Sequence, residues 1–196
     1  MLGEMAIGGK LATRYIPAPG PGLLWKLGNL RNVWPGYWRA RLARALGMAH
    51  LGGELRARLR RADGQVINYG LVSNKLVTTA FVNDMVDELI SETSAWGDYK
   101  FHDSGVGTTA AAVGNTDIET TDGESRVTGT QVENAANIYE SVGTISYTTT
   151  KAITEHGLFN IVTGGILMDR HVFSAINVAN GDSIAFTYDL TCTAGG

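Results

Sequence analysis

Ile184, Phe186, Tyr188 and Leu190 alternate with Ser183, Thr187 and Asp189. Successive side chains on a strand point to opposite faces, so this run demands an apolar surface on one side only. Asn180-Gly181-Asp182 supplies the turn before it. The same grammar of short β-rich runs between polar, glycine-bearing connections recurs through most of the chain, with further candidate strands at 99–102, 126–132, 138–149, 152–160 and 166–172. Tyr139, Val142, Ile145 and Tyr147 do not keep one strict alternation, which predicts a bulge near Gly143. Upstream, Leu55, Ala57 and Leu59 alternate with arginines, and Ala62-Asp63-Gly64 is a turn followed by the β-rich QVINYGLV, so a hairpin across Asp63-Gly64 opens the folded body. One helix stands out: Thr78 or Thr79 caps it, and Phe81, Met85 and Leu89, with Val82, share a face away from Asp84, Asp87 and Glu88. The fold class expected is mainly β: a β-sandwich or jelly-roll-like body over 54–196 with one short helix.

The first third has a different character. From Met1 to Gly64 there are eleven Lys and Arg against three acids, a net of +8, whereas Gln65 to Gly196 carries five against sixteen, a net of −11. The overall −3 therefore conceals a basic segment joined to an acidic body. Pro17, Pro19, Gly20, Pro21 and Gly22 break regular structure, so residues 1–53 read as an extended basic arm. Within it, Trp38, Leu42, Ala45 and Leu46 predict a short helix over 37–46, ended by Gly47. Trp25, Trp34 and Trp38 are three of the four tryptophans of the chain. An arm this short has no core of its own to bury them in, so they pack on the body or on another protein.

Other chemistry finds little footing. Cys192 stands alone, so no intrachain disulfide or multi-cysteine metal knot forms, and a buried or idle thiol is expected. No run approaches the roughly 20 apolar residues of a membrane span, and the first 22 residues lack a secretory apolar core, so a soluble, cytoplasmically made chain is expected. His102-Asp103-Ser104-Gly105 contains the residue types of a hydrolase, but neighbours on a strand face opposite ways and cannot relay a proton. His102, His156, Asp169 and His171 match no zinc spacing and read as surface or half-buried side chains. The acidic loop 117–124 lacks the order of an EF-hand and reads as a solvated turn at Asp122-Gly123. No phosphate-binding glycine loop sits between a strand and a helix. No cofactor and no metal are expected.

The arginine clusters Arg39, Arg41, Arg44 and Arg56, Arg58, Arg60, Arg61, interleaved with Trp25, Trp34 and Trp38, are the serious candidates. They allow a nucleic-acid reading, with guanidiniums on phosphate and indoles on bases. They equally allow docking on an acidic protein surface through tryptophan and arginine anchors. Cations spread among Leu, Gly and Pro favour the protein reading.

From about Gly64 the chain resembles a group of tailed-bacteriophage virion proteins. The resemblance rests on DGQVINYGLVSNKLVTTAFVNDMVDEL, YKFHDSGVGTTAAAVGNTDIET, RVTGTQVENAANIYESVGTISYTTTKAITEHGLFN and DRHVFSAINVANGDSIAFTYDLT. It covers about two-thirds of the chain and leaves out the first 50 or so residues. It implies a non-enzymatic structural component of a phage particle. A small β body with an arm is similar to head cement, or decoration, proteins. The expectation is then a protein of the outer head surface, made in the host cytoplasm, whose arm lies between major capsid subunits and whose body forms a homo-oligomer, a trimer ahead of a dimer. A neck, tail or baseplate component and an internal nucleic-acid-binding virion protein are the alternatives.

Overall fold

In the computed structural model the described residues are 19–90 and 99–193. The hairpin is there: β1 (His50–Arg60) turns into β2 (Val66–Leu76), with Gly64 at φ 88° and the Gln65 amide donating 2.9 Å to the Asp63 carboxylate. Leu55, Ala57 and Leu59 point inward and the arginines outward. Thr78 caps α2 (Thr79–Ile90), its hydroxyl accepting from the Phe81 amide at 3.1 Å. The remaining strands are β3 (Phe101–Gly105), β4 (Val127–Thr128), β5 (Thr130–Ala135), β6 (Ile138–Ser146), β7 (Lys151–Phe159), β8 (Leu167–Val178) and β9 (Ser183–Thr193).

The strands form two antiparallel sheets, ordered β2-β1-β9-β6-β5 and β4-β3-β7-β8, so the body is mainly β and sandwich-like. The alternation in β9 fixes which face is inside: Ile184, Phe186 and Tyr188 are fully buried. They meet Leu55 and Leu59 from their own sheet and Ile153, Leu158, Phe173 and Ile176 from the other. At one margin β4 and β5 are a single run interrupted only by Gly129, which carries the chain from one sheet to the other. At the other margin the edge strands β2 and β8 come together.

Three local expectations are corrected. β6 has no bulge at Gly143: its register with β9 runs unbroken from Ile138↔Thr191 to Ser146↔Ser183. Ser141, Gly143 and Ile145 are the inward positions, and the empty side of Gly143 is filled by the His102 ring, 2.5 Å from where a Cβ would sit. On α2 only Phe81 is fully buried, while Val82, Val86, Leu89 and Ile90 are exposed, because the helix touches the body along a narrow line against β8.

The third correction concerns the arm. Residues 1–18 lie outside the described residues, but 23–45 are a helix, α1 (Leu23–Ala45), instead of an extended strap with helix only over 37–46. His50 to Gly53 already belong to β1. Pro35-Gly36 argues against a helix in isolation. Here Gly36 faces the sandwich edge, where a Cβ would lie 2.0 Å from Asn74 Oδ1 and 2.6 Å from the Asn74 carbonyl oxygen. Tertiary packing overrides propensity at that pair.

Candidate functional site

The site begins with two irregularities in the sheets. The β1–β2 register slips between Leu55/Arg56, leaving Val72 as an extra residue. The β7–β8 register slips between Ile153/Glu155, leaving Ser174 and Ala175 out of regular pairing. Such bulges free backbone groups that must find other partners when buried. α1 supplies them. Asn29 donates to the Val72 carbonyl (2.7 Å) and accepts from the Ser174 amide (2.8 Å), and Asn32 braces Asn29 at 2.9 Å. The Trp25 indole donates to the carbonyls of Ser174 (3.1 Å) and Ala175 (3.0 Å) while its ring meets Tyr69 edge-on at 4.8 Å.

α1 therefore docks on the body with a polar and small-residue face. Asn29, Asn32 and Gly36 are buried, and Trp25, Val33, Ala40 and Ala43 half-buried. The opposite face holds Leu23, Leu27, Leu30, Trp34, Tyr37, Trp38 and Leu42, all exposed, with Trp34 at 59% and Trp38 at 52%. Lys26, Arg31, Arg39 and Arg41 share the helix with no acidic residue, and none of these four forms an ion pair among the described residues. Arg41 donates to the Tyr37 hydroxyl at 3.0 Å and lies over the rings of Tyr37 and Trp38 at 5.8 and 6.0 Å. The Arg44 side chain lies outside the described residues. The helix is thus mounted with its mixed apolar and cationic side chains to solvent.

The sequence candidates thus divide. Trp34, Trp38 and Arg41 come together on the outward surface, whereas Arg39 flanks the body beside Lys75 and Asp169. Trp25 is committed to holding α1 on the body. Arg56 pairs with Asp189 and, at 2.8 Å, with Glu54, and Arg61 pairs with Asp182 at 2.6 Å. Burial alone would raise the Asp182 carboxyl, but Arg61 and the amides of Ala179 and Ala62 outweigh it and hold it below its ordinary range. Arg58 and Arg60 remain exposed on the outer face of the first sheet, beside Thr144 and Ser183. Leu23, Leu27, Leu30 and Tyr37 were missed. Their helical spacing with Trp34 is present in the sequence, but Pro35 hides it.

These histidines are neither surface nor half-buried groups. His102, His156 and His171 are completely buried. His102 Nδ1 lies 2.9 Å from His156 Nε2 and its Nε2 2.9 Å from Ser141 Oγ, while His156 is paired in register with His171 across β7 and β8. Burial pushes His102 down to about 3, and burial together with its two neighbours drives His156 well below its ordinary value. Both rings are therefore neutral at physiological pH. Alternation turns Asp103 away from His102 and Ser104, which share the inner face but have different partners: Asp103 takes Arg126 Nε at 2.9 Å, His102 meets Ser141 and His156, and Ser104 bonds Asp122 and Tyr147.

The acidic loop is not a free turn either. Glu119 meets Arg170 at 3.1 Å, Asp122 bonds Ser104, and Glu124 pairs with Lys151 at 2.7 Å, which with the Thr148 amide pushes its carboxyl down to about 2. Beneath the loop, buried Glu155 accepts from the amides of Gly107, Glu119 and Thr120 and from Arg170 Nε at 2.7 Å, stapling it to β7 and β8. Glu119 and Glu155 share Arg170 while the other carboxylates point elsewhere, and no group of three metal-ligating side chains converges among the described residues. Cys192 is exposed. Among the described residues no helix is long and apolar enough to cross a membrane. Compared with known proteins, the chain matches no family model and no curated sequence.

Proposed function

We propose that this protein is a non-enzymatic structural component of a phage particle, a head cement protein that grips neighbouring major capsid subunits through the outward face of α1. The observation that carries the reading is the mounting of that helix. A chain that turns two tryptophans, a tyrosine and a leucine stripe to solvent, and fixes them there with buried asparagines, presents an interface rather than a core. In this reading Trp34 and Trp38 enter pockets on the capsid protein, and Arg41, with Arg39 at the rim, meets its carboxylates. Arg58 and Arg60 add a second, smaller cationic contact. The resemblance to tailed-phage virion proteins supplies the particle, and repetition over a closed shell lets modest single-site affinity suffice.

The test is co-sedimentation with empty capsid shells. Deleting the helix is a poor probe, because α1 satisfies backbone groups of the sandwich. The Trp34→Ser/Trp38→Ser pair alters only the exposed face. Wild-type protein is expected to sediment with shells and the double variant to stay in solution with unchanged melting. Equal decoration by both would overturn the reading.

A further inference from the structure

Two arginines of the sandwich stand together without an anionic partner. Arg56, Arg61, Arg126, Lys151 and Arg170 each pair with a carboxylate. Arg58 and Arg60 are exposed on the outer face of β1, and neither forms an ion pair or hydrogen bond among the described residues. Alternate positions of one strand share a face, so the two side chains leave the sheet on the same side, about 7 Å apart. Their neighbours in register are uncharged. Asn68 and Ala185 flank Arg58, Val66 and Ser183 flank Arg60, and Thr144 and Ser146 follow on β6. The acids next to these positions in the chain have partners of their own. Asp63 accepts from the Gln65 amide, and Asp182 accepts from Arg61 and from the amides of Ala62 and Ala179. An anion held between the two guanidiniums relieves the repulsion of like charges.

The floor beside them selects the kind of anion. Ser183, Ala185 and Thr144 are short, and next to the long arginines they leave an open trough of about 460 Å³, closed at one end by Gly64 and Val66. Guanidiniums donate from its wall and hydroxyls from its floor. One guanidinium fork satisfies both oxygens of a planar carboxylate, whereas a tetrahedral anion presents further oxygens in other directions. No aromatic side chain lines the trough, so the bases of a nucleic acid find nothing to stack on. We infer that this trough binds a phosphate group, as free phosphate or as the monoester of a small polar molecule. Arg58 and Arg60 share its oxygens, and Ser183 and Thr144 donate from beneath. The volume lies in the range of small-molecule sites and exceeds what a lone phosphate fills, which leaves room for the molecule that carries it. The site stands independently of the shell contact through α1, and it gives the second cationic contact a ligand of its own.

The experiment follows amide resonances of the full chain during titration with inorganic phosphate, glycerol phosphate, acetate or a single-stranded oligonucleotide at constant ionic strength. Both phosphates are expected to shift Arg58, Arg60, Thr144 and Ser183 saturably in the millimolar range. The tighter of the two tells whether the group is free or carried. Acetate is expected to bind about tenfold more weakly or worse. Arg58→Gln/Arg60→Gln changes only exposed side chains, and its folding is checked by melting. It is expected to lose about tenfold or more in phosphate affinity, while Arg31→Gln, which removes a charge elsewhere, keeps it. Shifts that do not saturate, acetate as tight as phosphate, undiminished binding by the double variant, or an equal loss in Arg31→Gln would overturn the inference. Tighter binding of the oligonucleotide would overturn it in favour of a nucleic-acid backbone. Shell binding separates this from the proposed function: Trp34→Ser/Trp38→Ser loses the shells and keeps the phosphate response.

Discussion

Strand β9 and helix α1 lie against the same sandwich yet bury opposite kinds of side chain. β9 puts Ile184, Phe186 and Tyr188 inside and meets the apolar side chains of the facing sheet. α1 puts Asn29, Asn32 and Gly36 inside, because it meets the bulged edges of β2 and β8, where the exposed chemistry is backbone amide and carbonyl. What counts as a good buried residue depends on what it is buried against. A sheet face rewards apolar area, and a sheet edge rewards a hydrogen-bond partner. With its polar face spent on that edge, α1 has only its apolar and cationic face left for solvent, and the proposed assembly role follows from that.

The contrast can be broken at either end. Phe186→Ala, in the apolar interior, is expected to cost about 3–5 kcal/mol in chemical denaturation through lost burial and a residual cavity. Asn29→Leu adds apolar surface at a buried site, yet it strands the Val72 carbonyl and the Ser174 amide, and a loss of about 2–3 kcal/mol is expected. A gain in stability from that change would show that the edge is an ordinary apolar seat and remove the contrast.

Acid probes the polar seam inside the core. An unfolded histidine takes up a proton below about 6.5, while His102 stays neutral down to about 3. Over that window the unfolded chain binds more protons, so stability is fully present above 6.5 and falls as the pH drops through it. By pH 5 His102 alone accounts for about 2 kcal/mol, and His156 adds in the same sense. Denaturation midpoints at pH 7, 6 and 5 test this. A flat profile would place these rings in contact with water. The smallest effect is expected on the outer face of α1, where Trp34→Ser changes stability by no more than about 0.5 kcal/mol. A large loss of melting temperature there would mean that the tryptophan is part of the fold.

The legible parts of the sequence were those where one residue's neighbours along the chain decide its environment. The β9 alternation, the Asp63-Gly64 turn and the Thr78 cap are local patterns, and each appears in the structure. Gly143 was misread as a bulge because its reason is the His102 ring from another sheet. The histidines read as surface or half-buried groups, since nothing in their spacing tells that three strands bury them together. Trp34, Trp38 and Arg41 stand out in the sequence by composition and are exposed together, whereas the leucines beside them are hidden by Pro35.

The sequence by itself determined that this is a mainly β body with a basic, tryptophan-bearing segment before it, because period-two patterns, turn residues and charge are properties of the chain. Only the tertiary structure decided that the segment is a helix and which way it faces. Two bulges, far apart in sequence from α1, free the backbone groups that Asn29 and Trp25 satisfy, and Gly36 lets the helix come close enough to reach them. Those groups exist only once the strands have paired, so no local pattern announces them.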